Sequence, residues 1–499
     1  MAPRLPTLLA LALPAVAATT HIPTRDVTST TNPGFVSFPI KRGSKTLAAR
    51  DATASLINEQ DTSYLMELTF GSNAQAVKIA IDTGSDELFV NPNCNDRDFT
   101  QAQQQDCTED GKYQPSTSST SNVTQETSQI VYGSGAVNIQ YVIDSIGIPG
   151  AGTNMTDVQF GVATASQDLN EGILGLGFGK GVNLNYSNFV DQLAAQGVTN
   201  TKAFSVALGT SDTAGGNIIF GGVDTKKFSG SLATSTIQSP ASGDIQRYST
   251  QMNSLTFKSG STSNKYSGSD LSVVLDTGSS LCLLPTSVVS SMAEDFNAQQ
   301  DSSGLLEVDC SLQDQDGSLD FEFDGVTISV PFSQFILSAG ANSCILGVQA
   351  VESNSGITAL LGDTFLRSAY VVFDQTNMKI SMAQYVECGT NEQAIATGSD
   401  GASKFTGECS GSTSNASKSA GEVNKPVAAT SIVGFVAGVA ALMPHRPVAI
   451  SCERDNTSLR LRPGAAHVTV PPLASCCNAS LDVVPGPIDP PPQVAGAAC

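Results

Sequence analysis

The sequence predicts an all-β chain built as two similar lobes with a functional cleft between them. Three observations predict it. Short apolar or β-branched runs, broken by Gly, Asn, Asp and Ser, recur from about residue 63 to 386. One motif at the end of such a run occurs twice, 194 residues apart. Helical periodicity is confined to two stretches, 188–196 and 287–298.

The order along the chain begins with a targeting segment. Arg4 precedes an apolar run, Leu5 to Val16, that closes on Ala15-Val16-Ala17-Ala18. Residues 1–18 are therefore expected to be a signal peptide, and the product to be secreted and extracellular. An oxidising destination makes disulfides the expected fate of the eleven cysteines. The sequons at Asn122, Asn154, Asn185 and Asn415, with two more at Asn456 and Asn478, are candidate glycosylation sites. A net charge of -21 argues against nucleic acid as a partner, because phosphates would be repelled.

Residues 19–50 are expected to be a propeptide. Five basic side chains (Arg25, Lys41, Arg42, Lys45, Arg50) stand there against Asp26, whereas residues 51–386 carry 36 acidic and 12 basic side chains. A basic leader should dock on that body by charge and loosen when the carboxylates are protonated. The body is expected to divide into lobes at 51–240 and 241–386. Strands are expected at 64–70, 77–81, 137–143 and 205–208. A Ser/Gly-rich stalk over 387–426 follows, then a hydrophobic segment, 427–443. Residues 444–499 are Pro-rich without periodicity. They are expected to be either an unstructured tail or the product of a gene-model artefact.

Histidine narrows the chemistry. His21, His445 and His467 are the only ones, so residues 22–444 contain none. No Ser-His or Cys-His nucleophile and no His-ligated metal can sit in the main body. Carboxylates are left to carry proton transfers. The repeated motif supplies them: Ile79-Ala80-Ile81-Asp82-Thr83-Gly84-Ser85 recurs as Val273-Val274-Leu275-Asp276-Thr277-Gly278-Ser279. Each copy is echoed about ninety residues later, by Gly172-Ile173-Leu174-Gly175-Leu176-Gly177 and by Ala359-Leu360-Leu361-Gly362-Asp363. A lone copy reads equally well as an Asx-type turn. Two copies with matched echoes imply two lobes that each contribute one Asp.

Two carboxylates about 3 Å apart cannot both ionise, so Asp82 and Asp276 would share one proton and titrate as a unit. The ionised member could take a proton from water while the protonated one hydrogen-bonds a scissile carbonyl. Gly84 and Gly278 allow close backbone approach, to each other and to substrate. Ser85 and Ser279 can donate to the outer carboxylate oxygens, and Thr83 and Thr277 can cross-bond the lobes.

With these motifs the chain, over roughly residues 63–386, resembles the pepsin family of aspartic peptidases, most closely its fungal secreted and surface-anchored yapsin- and candidapepsin-like members. Val131-Tyr132-Gly133-Ser134-Gly135 matches the family flap, which implies that Tyr132, Gly133 and Ser134 contact substrate. The segments Gly216 to Asp224, Leu361 to Arg367 and Val372 to Asp374 match further family signatures. The resemblance implies a pepsin-like bilobal fold and the bridges Cys94–Cys107 and Cys310–Cys344, with Cys388–Cys409 a weaker pairing and Cys282 a buried free thiol. It also implies no cofactor and no metal, protein or peptide substrates, and a monomer. Phe89 stands where the family usually has Trp, so the Tyr132 hydroxyl lacks its familiar indole partner. Asn415-Ala416-Ser417, a polar spacer and the segment 427–443 resemble a GPI signal, which implies attachment to the cell surface through a lipid anchor, yet 56 residues follow.

The expected function is that of a secreted aspartic endopeptidase acting at acidic pH through a shared-proton dyad. The alternatives are a catalytically inactive pepsin-fold binding protein and a cell-surface glycoprotein. The loop from Asn91 to Gly111, rich in Asp and Glu, with Asp86 and Glu87 just after the first motif, raises a preference for Lys or Arg in substrates against a plain solvated acidic face.

Overall fold

The computed structural model describes residues 34–43 and 63–410, apart from 92–93, 95–98, 100, 134, 150–151, 168, 212, 214, 242–243, 340–342 and 352–358, together with 459–460 and 467–468. The expected strands form with somewhat different ends: Ser63–Phe70, Gln75–Asp82, Ala136–Ile148 and Ala203–Ala207. Period-2 patterning explains them. In Gln75–Asp82, Val77, Ile79 and Ile81 all enter the main core.

Both expected helices are present. Phe189–Ala195 starts at Asn188, whose side chain caps the Asp191 N–H at 3.1 Å. Thr286–Asp295 buries Val288, Val289 and Met292. A third helix, Gln101–Asp110, was not expected, because its Gln-rich sequence has no apolar stripe. The Cys94–Cys107 bridge ties it back to the body.

Thirteen strands form one sheet. It runs from Ala233–Thr236 through Lys379–Gln384, Ala369–Asp374, Ala203–Ala207, Gly215–Phe220, Val36–Gly43 and Ser63–Phe70 to Gln75–Asp82. It then continues through Gly172–Gly175, Leu88–Val90, Thr153–Gln167 and Ala136–Ile148 to Asn122–Val131. Strands from both halves of the chain therefore share it: Val371 lies opposite Val206, and the rings of Phe204 and Phe373 stack at 5.0 Å. The second half has its own eight-stranded sheet, in which Leu271–Leu275 lies between Ser249–Ser259 and Leu360–Leu361.

Two segments expected to lie outside the lobes pack with them. Val36–Gly43, inside the expected propeptide, is a strand between Gly215–Phe220 and Ser63–Phe70. Val36, Phe38 and Ile40 are buried in the main core, and the Arg42 guanidinium donates to the carbonyls of Thr210, Ser211 (2.8 Å) and Thr213 (2.6 Å). Val36–Gly43 is held by backbone pairing and apolar burial as well as by Arg42.

Residues 387–410, expected as the start of the stalk, fold onto the body. Glu392–Ala394 pairs with Gly222–Asp224, Thr406–Glu408 pairs with Ser229–Ser231, and Cys388–Cys409 closes the segment. Ile395, Ala402 and Phe405 join Phe228 and Tyr370 in a small separate core. A few apolar residues and one crosslink outweigh a polar average composition. Residues 1–18, the rest of the expected stalk and the segment 427–443 lie outside the described residues. Within 444–499, where no structure was expected, Leu459–Arg460 and His467–Val468 pair as a short antiparallel ladder.

Candidate active site

The two Asp-Thr-Gly-Ser motifs end two strands. Gln75–Asp82 runs parallel to Gly172–Gly175, with Asp82 opposite Gly175. Leu271–Leu275 runs parallel to Leu360–Leu361, and the Asp276 N–H reaches the Leu361 carbonyl at 3.1 Å. The downstream echoes in the sequence are thus the strands that brace each motif. Leu176 N–H donates to Asp82 O at 2.7 Å, and Asp363 N–H donates to Ser279 O at 2.8 Å.

The motifs meet. Asp82 and Asp276 are 2% and 1% exposed, and each faces the glycine of the other's motif. Gly84 N–H donates to Asp82 Oδ1 at 2.7 Å, and Ser85 Oγ donates to Asp82 Oδ2. The second copy repeats this, with Gly278 N–H on Asp276 Oδ1 at 2.9 Å and Ser279 Oγ on Asp276 Oδ2 at 2.8 Å. A methyl group on Gly84 would stand 2.5 Å from Asp276 Oδ1, and one on Gly278 would meet the Asp82 carboxylate. Only glycine permits this approach.

Burial pushes the Asp276 carboxyl well above the usual range, and the Asp82 charge pushes it further. Burial also raises Asp82, but Ser85, Gly84 and the Asp276 hydroxyl all hydrogen-bond its charged form. Both carboxyls are thus raised by burial, and a negative charge on one favours the proton on the other, so the pair holds a proton above the usual carboxylate range.

The flap residues sit at a hairpin tip. Asn122–Val131 and Ala136–Ile148 pair up to Val131 opposite Ala136, and Tyr132 N–H donates to Gly135 O at 2.7 Å. Gly133 is exposed there, and Ser134 lies outside the described residues. Tyr132 is buried, its ring 6.2 Å from that of Phe89. Its hydroxyl approaches Ser85 without making a regular hydrogen bond. Phe89 is fully buried and fills the core where an indole would have offered a donor.

Asp86 and Glu87, expected among the acidic groups that favour basic substrates, instead lie behind the motif with internal partners. Glu87, 5% exposed, accepts the Tyr141 hydroxyl at 2.9 and 3.0 Å, and burial raises it to about 7. Asp86 accepts Phe178 N–H at 2.7 Å and both-oxygen contacts at 3.0 Å from Asn183 Nδ2; burial raises it to about 6. The available signal was two acids leading straight into the apolar run Leu88-Phe89-Val90.

The bridges Cys94–Cys107, Cys310–Cys344 and Cys388–Cys409 are formed, and Cys282 is buried and free. Asn122, Asn154 and Asn185 are exposed; Asn415 lies outside the described residues. Of the acidic loop, Asp106, Glu109 and Asp110 line a cavity of about 500 Å³ with Glu67, Glu171 and Lys41.

Known proteins resemble this chain in sequence and fold. The sequence profile of the family "Eukaryotic aspartyl protease" matches residues 63–385. The probable aspartic-type endopeptidase opsB of Aspergillus oryzae is 34% identical over 403 residues, 74% of this chain and 80% of the relative. Secreted aspartic protease 8 of Candida albicans is 36% identical, over 66% of this chain and 77% of the relative. The crystal structure of the aspartic proteinase from Irpex lacteus matches with a TM-score of 0.55 at 21% identity, over 70% of this chain and 97% of that one. The all-β bilobal fold is the pepsin-like one, and the chain belongs to the eukaryotic aspartyl proteases as an aspartic-type endopeptidase.

Proposed function

We propose that the protein is a secreted endopeptidase that cleaves protein substrates at acidic pH, with Asp82 and Asp276 as its catalytic pair. The observation that carries this is the pair itself: two buried, hydrogen-bonded carboxylates from different lobes, each held by a glycine N–H and a serine hydroxyl. Asp82 takes a proton from a water molecule, whose oxygen adds to the scissile carbonyl carbon. The Asp276 hydroxyl donates to the carbonyl oxygen as charge develops there. Collapse of the tetrahedral adduct breaks the C–N bond, and the amine leaves with a proton returned through the pair. Tyr132 and Gly133 at the hairpin tip close over the substrate. Acidic conditions follow from the need to keep one proton on the pair.

The relatives named secreted proteases and the Leu5 to Val16 run support an extracellular location, with a lipid anchor as the finer reading of 415–443. Val36–Gly43 is part of an inhibitory leader that stays in place until it is cut away. The carboxylates of the Asn91 to Gly111 loop favour basic substrate side chains, as Asp110 favours Lys78 within the chain. Hydrolysis of denatured casein by the purified protein at acid pH, with and without pepstatin, tests the reading. Pepstatin-sensitive cleavage supports it; a protein inert after leader removal is a binding protein instead.

A further inference from the structure

The local surroundings of Asp82 and Asp276 are nearly matched, since each accepts one glycine N–H and one serine hydroxyl. Something unmatched must decide which carries the charge. The segment Gln246-Arg247-Tyr248 is that asymmetry. It enters the second-lobe strand Ser249–Ser259, where Tyr248 O accepts Leu275 N–H at 3.1 Å, one residue before Asp276. On its other side it is clamped to the first lobe. Gln246 exchanges two bonds with the Asn183 amide, both 2.9 Å, and Tyr248 hydroxyl donates to Leu176 O at 2.6 Å. Between these clamps the Arg247 guanidinium donates to the Gly84 carbonyl, inside the first motif.

We propose that Arg247 is a positioning residue: delivered by the second lobe, it fixes the Gly84 turn and places a positive charge on the Asp82 side of the pair. This rests on the dyad reading above and deepens it. Held on the Gly84 carbonyl, two residues from Asp82, the charge of Arg247 favours ionised Asp82. The other groups facing Asp82 do not supply this: Asp276 and Tyr132 are uncharged at acid pH, and Asp86 is negative when ionised. Asp86 also faces Arg247, with Glu87, Tyr132, Tyr186 and Tyr248 around it. Burial raises Asp86 to about 6, so its negative charge beside Arg247 diminishes as pH falls through that range.

The test is the pH dependence of kcat/KM for mature wild type, Arg247→Gln and Arg247→Lys on one peptide substrate. Gln keeps a donor for the Gly84 carbonyl without charge; Lys keeps both donor and charge. The acid limb should move up by about one pH unit in Arg247→Gln, a loss of about tenfold at a fixed pH on that limb, and stay in place in Arg247→Lys. A uniform loss in Arg247→Gln with an unmoved limb overturns the proposal and leaves Arg247 a purely structural tie. Equal shifts in both variants overturn it too. Activity that survives Asp82→Asn, measured alongside, overturns the dyad reading itself.

Discussion

Thr83 and Thr277 hold each other across the two lobes. Each hydroxyl accepts the other's backbone N–H, at 3.1 and 3.0 Å, and donates to a carbonyl two residues before the other threonine, Leu275 O at 2.8 Å and Ile81 O at 3.1 Å. Both residues are 1% exposed, so these groups have no water to fall back on. This interlock sets the separation of the carboxylates beside it.

Thr277→Val keeps the shape and removes the hydroxyl. It leaves Thr83 N–H and Ile81 O buried without partners, at a cost of about 1–3 kcal/mol each. Denaturant unfolding should show a lower midpoint with unchanged slope, and peptidase activity should fall at least about tenfold. A variant as stable and as active as wild type would show that the interlock is dispensable.

Gly278→Ala tests the close approach. The added methyl meets the Asp82 carboxylate, so the pair must separate. Activity should be lost while the fold, measured by circular dichroism, is retained. Wild-type kcat in this variant contradicts the geometry.

Glu87 gives stability a pH dependence of definite sign. Its folded value, about 7, lies above the ordinary carboxylate value of about 4.3, so the folded state binds the proton more tightly. The contribution is fully present below about pH 4.3 and is lost as pH rises through about 7. Glu87→Gln should remove that decline, narrowing the stability difference between pH 4.5 and pH 7.5 by roughly 1–3 kcal/mol. Thermal unfolding of both proteins across that range measures it. Parallel curves would mean that Glu87 is charged in the folded state throughout.

The leader prediction changes with the structure. Charge alone would let salt release the leader at neutral pH; a strand with Val36, Phe38 and Ile40 in the core should stay until it is cut. N-terminal sequencing of active protein should find a start between residues 43 and 51, and high salt at pH 7 should release nothing. A fully active form that begins at Thr19 refutes the inhibitory role.

The catalytic motifs were legible because their chemistry lies in contiguous residues, and the doubling revealed the two lobes. Arg247 was not, since its partner Gly84 lies 163 residues away and only the clamps at Gln246 and Tyr248 bring them together. The Val36-Ser37-Phe38-Pro39-Ile40 alternation was visible in the sequence, but basic neighbours and an expected leader role masked it as a strand. Composition misled over 387–410, where Cys388, Ile395, Phe405 and Cys409 decide the structure against a Ser/Gly background. The helix Gln101–Asp110 carries no periodic signal, and its place depends on the Cys94–Cys107 bridge.

The central claim is that Asp82 and Asp276 act as one unit. Replacing either with Asn removes the shared-proton state and nearly nothing else, because amide and carboxyl have the same shape. Peptidase activity of leader-free Asp82→Asn and Asp276→Asn on denatured casein at acid pH, with folding verified by thermal unfolding, tests this most directly. Each folded variant should lose activity by at least about a thousandfold, and the double variant should lose no more than either single one. Comparable activity to wild type in either folded variant would contradict the pair.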